Sequence, residues 1–197
     1  MAIYYYKQTY TAPEILSLAA AKKQLKMEDL GTFDDVLIQD CIDAAIGEAE
    51  NYCNRHINEA KYIVKSGHWL SQNYEFKQQL VSAITKITYK PLAGGADVEL
   101  TSTALAAFCE LLPADQYASK LYYKDEDNLP DLAEDINDAV SFEITVGYPT
   151  GTVPMALKQA IKLMVTDNYN FRGDRDKKTN SASRIKLEPY KYYQPLQ

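Results

Sequence analysis

The sequence predicts a mainly α (α+β) fold: a three-helix bundle with a long central helix, a small antiparallel β element at its side and an extended C-terminal tail. Three observations carry that expectation. Residues 33–56 hold the longest uninterrupted helical pattern, residues 139–148 alternate as a strand does, and a second helical stripe runs from Pro154 to Phe171. With 46% hydrophobic residues, the 197-residue chain can supply a core for one domain with an appendage.

Residues 1–16 are rich in tyrosine and extended in pattern, and Pro13 disfavours an early helix start, so they read as an N-terminal arm able to form a strand. Ser17 is placed to cap a first helix running to about residue 27. In it Leu18, Ala21, Lys22 and Leu25 recur at helical spacing, and Lys22, Lys23 and Lys26 make the other face basic. In the central helix Ile38, Ile42, Ala45, Ala49, Tyr52 and His56 fall on one side, with Asp40, Asp43, Gly47, Glu50 and Asn54 opposite. Gly31 breaks the chain, Thr32 is the expected N-cap, and Asp34 and Asp35 suit the positive end of the helix dipole. Such a helix is roughly 35 Å long and needs something to lie against.

After His56 the pattern turns to period two. Residues 62–70, 81–89 and 97–100 read as strands, with Pro91, Gly94 and Gly95 in a turn between the last two. In 139–148, Val140, Phe142, Ile144 and Val146 point one way and Ser141, Glu143 and Thr145 the other. These strands make a β insertion at about 60–148 inside a helical domain spanning 17–173. Residues 101–138 lack a clear period: 105–112 suits a short helix or a strand, 119–123 a strand, and KDEDNLPDLAEDIND an acidic surface loop. Pro154 fits the first position of the third helix, whose stripe is Leu157, Ala160, Ile161, Met164, Asn168 and Phe171, with Gly173 placed to end it. The expected core is Ile38, Ile42, Ala45 and Ala49 against Leu157, Ile161 and Met164, closed on one side by Leu18 and Leu25.

The net charge of −6 argues against a general nucleic-acid binder, whose affinity comes from lysine and arginine on phosphates. That average hides an asymmetry. From residue 172 onward Arg172, Arg175, Lys177, Lys178, Arg184, Lys186 and Lys191 meet Asp174, Asp176 and Glu188, a surplus of four positive charges that leaves −10 on the chain before it. Residues 174–197 therefore read as a separate basic, tyrosine-rich tail. Thr179, Asn180, Ser181 and Ser183 supply nothing for a core, while Ile185, Leu187, Tyr190, Tyr192 and Tyr193 offer apolar area suited to burial against a partner.

No motif points to catalysis, a cofactor or a metal. Cys41, Cys53 and Cys109 are odd in number and form no CxxC, so buried thiols are the expected state. His56 and His68 have no ligand or catalytic partner at suitable spacing, and His56 is placed to interact with the end of the central helix. Asp125, Glu126, Asp127 and Asp131 offer oxygen ligands for a hard cation but lack the glycine and terminal glutamate of a calcium loop, so a solvated acidic loop is the simpler reading. Arg172-Gly173-Asp174 matches an adhesion tripeptide whose glycine already has work as a helix terminator. No segment approaches a membrane span and no secretory leader is visible, so production in a cytoplasm is expected.

The segments SLAAAKKQLKM, FDDVLIQDCIDAAIGEAENYCNRH and VGYPTGTVPMALKQAIKLMVTDNYNFRGD, in that order around a run of strands, resemble the head–tail connector (adaptor) proteins of tailed bacteriophages. The resemblance covers roughly 15–70 and 139–175. It implies a structural virion protein, not an enzyme, at the neck. It also implies a homo-oligomeric ring of twelve subunits clamped beneath the portal, meeting a further neck or tail protein below, with DNA passing through its lumen without sequence specificity. Within that reading Arg175, Lys177, Lys178, Arg184, Lys186, Leu187, Tyr190, Tyr192 and Tyr193 are expected to bind the portal. Asp40, Asp43 and Glu50 are expected to face the channel or a neighbouring subunit. The alternatives are a stopper or tail-terminator subunit, which would be all-β, and a metal-dependent nucleic-acid-processing enzyme using the acidic loop.

Overall fold

The computed structural model describes residues 3–10, 15–28, 31–76, 81–113, 119–149, 151–171, 173 and 181–192. Chain contacts divide the protein into two units. One comprises Met1–Ala12 and Asn58–Tyr148, the other Pro13–Ile57 and Pro149–Gln197.

The first unit is built of strands. Five form an antiparallel sheet in the order β1 (Ile3–Tyr10), β2 (Ala60–Ser66), β8 (Val140–Val146), β4 (Val81–Tyr89), β5 (Val98–Thr101). Three more, β3 (Tyr74–Glu75), β7 (Ser119–Tyr123) and β6 (Cys109–Pro113), form a second antiparallel sheet in that order. A short helix α3 (Ser102–Phe108) lies between β5 and β6. β8 is central because its alternation is complete on the inner face: Val140, Phe142, Ile144 and Val146 are all fully buried. Phe142 pairs with Val64 of β2 on one side and Ile87 of β4 on the other, so three buried side chains form one row across the sheet. Leu70, Phe76, Leu105, Cys109, Leu121 and Tyr123 complete the same core.

The only tryptophan organises that core. Trp69 lies 5.4 Å from the Tyr89 ring, 5.3 Å from Phe108, 6.1 Å from Tyr123 and 6.3 Å from Phe142, in the tilted and edge-on geometries aromatic rings prefer. Its Nε1 donates to Pro130 O at 2.8 Å, so burying the indole strands no donor. At the end of β8, Gly147 has φ +87, and a Cβ there would lie 2.1 Å from Asn58 O. Only glycine admits that approach.

The second unit is helical: α1 (Leu18–Leu25), α2 (Asp35–Cys53), α4 (Met155–Asn170) and α5 (Ser181–Leu187), followed by a 3-10 turn at Glu188–Tyr190. Ser17 caps α1 as expected, its hydroxyl accepting from Ala20 N at 3.2 Å. Asp34, not Thr32, is the N-cap of α2, and its carboxylate makes no cap bond because it accepts from the Tyr169 hydroxyl at 2.6 Å. Asn54, in the left-handed conformation at φ 52, ends α2. The expected core residues Ile38, Ile42, Ala45, Ala49, Leu157, Ile161 and Met164 are buried with Ala160, joined by Cys41, Ile46, Cys53 and Val165. The far end of the expected α4 stripe is not: Asn168 is half-buried and Phe171, past the last turn of the helix, is 53% exposed. Leu18 and Leu25 are half-buried, and Ala21 is the closed position of α1.

The expected fold class is corrected. Among the described residues there are five α-helices and eight strands, with 39% of residues helical and 28% in strands, so the protein is a mixed α+β structure and not a three-helix bundle with one small β element. Two causes account for the shortfall. Residues 3–10, read as an extended arm, pair with β2 as an edge strand. Residues 101–138, in which 105–112 suited a short helix or a strand and 119–123 a strand, supply α3 and also β6 and β7, strands of a second sheet that no single period announces. The strands thus carry a whole unit with its own core.

Candidate functional site

A line of exposed side chains runs along the outer side of α2 and the turn before it. Phe33, Val36, Asp40 and Asp43 follow one another at spacings of three and four residues, which places them on one helix face. Phe33 is 95% exposed and Val36 77%, two adjacent apolar side chains left to water. Asp43 accepts from Gln39 Nε2 at 3.1 Å, an exposed contact along the same helix. Beside Phe33 is a pocket of about 280 Å³ whose walls include Met27 and Ile38. At its edge Lys22 donates to Asp35 at 2.6 Å and also to Gly31 O.

Glu50, grouped with Asp40 and Asp43 on the sequence, does not share their surroundings. Its Oε1 accepts from Ile57 N at 2.8 Å and its Oε2 lies 3.8 Å from His56 Nδ1, so it closes the exit from α2. His56, expected as the last residue of the central helix, lies three residues beyond its end at Cys53, beside this carboxylate.

Residues 181–192 are bound within the second unit. Tyr192 N donates to Cys53 O at 2.8 Å, Arg55 Nη1 to Tyr190 O at 3.1 Å, and the Tyr52 hydroxyl to Glu188. Leu187 and Ser183, one helical turn apart, are buried, and the Cys53 thiol is 3.8 Å from Leu187 O. For Leu187 the expectation of burial only against a partner is therefore corrected: seven residues suffice for a two-turn helix but not for a visible period. Arg184 and Lys191 stand over the Tyr52 ring at 5.4 and 5.0 Å, and Lys186 Nζ donates to Gln159 at 3.2 Å. Ile185, between Arg184 and Lys186 in sequence, is 71% exposed. Arg175, Lys177, Lys178 and Tyr193 lie outside the described residues.

Among the described residues no group of three or more His, Cys, Asp or Glu is arranged to hold a metal. In the acidic loop Asp125 accepts from Asn128, and Glu126 and Asp127 are exposed. Burial raises the Cys53 and Cys109 thiols from 9.0 to about 11, away from the thiolate that makes a cysteine reactive.

No family model matches the sequence, and no curated protein is similar to it. Solved structures are similar in fold. A chain in the neck of an empty GTA particle computed with C6 symmetry superposes with a TM-score of 0.71 at 16% identity, covering 98% of this chain and 97% of that one. This is a fold shared with a particle neck. A chain in the virion of a native gene transfer agent particle gives 0.73 at 18% identity with the same coverage. One in the neck of a native GTA particle computed with C12 symmetry gives 0.63 at 16% identity, covering 97% of both. The likeness spans both units, including the strands that the sequence pattern understated.

Proposed function

We propose that the protein is a structural component of the neck of a phage-like particle, a head–tail connector (adaptor). The observation that carries this reading is the near full-length likeness to a chain of the GTA neck, with 98% of this chain and 97% of that one covered. Residues of the second unit agree with it. Phe33, Val36 and Ile185 are exposed apolar side chains of the kind that meets a partner.

Cyclic symmetry in two of the neck structures supports a ring of copies, and twelve is the number favoured by the C12 neck. Binding to the portal above and to a further neck or tail protein below belongs to the same proposal. The basic residues Arg175, Lys177 and Lys178 are the proposed portal contacts, since their charge opposes that of the rest of the chain. DNA passes through such a ring without being read, because an acidic chain adds little counterion-release affinity.

The test is removal of the gene from the particle's genome. Heads that fill with DNA but carry no tail are the expected product, and labelled antibody against the protein should mark the head–tail junction of intact particles. Normal tailed particles without the protein would overturn the assignment.

A further inference from the structure

The second unit carries two unlike exposed patches, and we propose that they meet between neighbouring copies: Phe33 and Val36, with Asp40 and Asp43, on one copy against Ile185, with Arg184 and Lys186, on the next. This rests on the ring reading and names its contact surface.

The apolar part of the α2 patch, Phe33 and Val36, and the α5 patch lie at opposite ends of α2. Tyr169, near the end of α4, bonds Asp34 at the start of α2, so the Phe33 patch belongs to that end. α5 is held to the other end, where Leu187 O lies against Cys53 and Glu188 against Tyr52. A 19-residue helix separates them by about 28 Å. Two different surfaces at two ends of one subunit give a heterologous contact, the kind that closes rings, whereas a two-fold dimer needs one patch that fits itself.

Their chemistry is complementary. The α2 patch presents two large apolar side chains and then two exposed carboxylates, one and two turns beyond Val36. The α5 patch presents one apolar side chain, 71% exposed, between two cations. Ile185 set against Phe33 and Val36, at the mouth of the 280 Å³ pocket, covers the apolar area of both patches and brings Arg184 and Lys186 to the side where Asp40 and Asp43 stand. A basic patch meeting an acidic one sets orientation and disfavours like-with-like pairing.

Sedimentation velocity of the full-length protein from micromolar to millimolar concentration tests this, with circular dichroism as a check on folding. The wild type should associate as concentration rises. Phe33→Ser and Ile185→Ser change side chains that already face water, and each should weaken association at least tenfold with unchanged helicity. The pair Asp40→Lys and Asp43→Lys should do the same, as should the pair Arg184→Glu and Lys186→Glu. All four charge changes in one chain should recover most of the lost association. The contact is overturned if the wild type associates and either serine variant matches it, or if the fourfold charge swap is no better than the two pairs. A wild type that stays monomeric throughout overturns the ring reading together with the contact.

Discussion

Tyr169 donates its hydroxyl to Asp34 at 2.6 Å, tying the last turn of α4 to the first of α2. The bond explains why Asp34, at the N-cap of α2, makes no side-chain cap bond there. Tyr169→Phe deletes the donor and keeps the ring. It should lower stability by about 1 kcal/mol, a typical net value for one such bond, measured as a fall in the thermal midpoint of the helical signal. A change indistinguishable from zero would mean that water replaces the tyrosine at no cost.

Gly147 is the glycine whose replacement should be costly. At φ +87 with Asn58 O only 2.1 Å from any Cβ, an alanine must push backbone against backbone. Gly147→Ala should destabilise the strand unit by more than about 2 kcal/mol, above the ordinary effect of a surface change. Trp69 gives the readout, since it is the only tryptophan and sits in that unit's core. Gly151→Ala, with φ +85 but nothing within 4 Å, is the control that separates backbone strain from collision and should cost less.

Leu187 decides the status of the chain's end. With 1% of its surface exposed, Leu187→Ala should cost about 2–5 kcal/mol. Truncation after Gly173 should lower the melting temperature of the helical unit, because it removes Leu187 and uncovers Cys53 at once. A truncated protein with undiminished stability would show that the contact seen between α5 and α2 carries no energy.

Cys53 and Cys109 predict a fall in stability at high pH. Burial raises both thiols to about 11 in the folded chain against 9.0 for an ordinary thiol. A raised acid favours the protonated folded state, so this stabilisation is complete below pH 9 and is lost as pH climbs from 9 towards 11, where the unfolded chain releases protons that the folded chain keeps. Chemical denaturation at pH 8 and pH 10.5 should show the difference, and Cys53→Ser with Cys109→Ala should flatten it. In the same samples a thiol reagent at pH 8 should label the native protein slowly and the unfolded protein at three sites.

Sequence alone determined the parts whose signal repeats within one element. The phase of α2 is an example: Ile38, Ile42, Ala45 and Ala49 recur over more than three turns, and a one-residue error would have put carboxylates in the core. The inner face of β8 and the Ser17 cap were legible for the same local reason. Tertiary structure alone decided what depends on distant partners. Nothing around Trp69 announces the four rings that surround it, since they come from residues 20 to 73 positions away. The seven residues of α5 have too few turns to show a period, and Leu187 is buried only because α2 ends beside it at Cys53. Glu50 looked equivalent to Asp40 and Asp43 by helical position, yet the chain turns back at Ile57 and hands it a backbone N–H, while the other two carboxylates stay in water. Periodicity records which way a side chain points along its own element, and the three-dimensional path of the chain settles what it meets there.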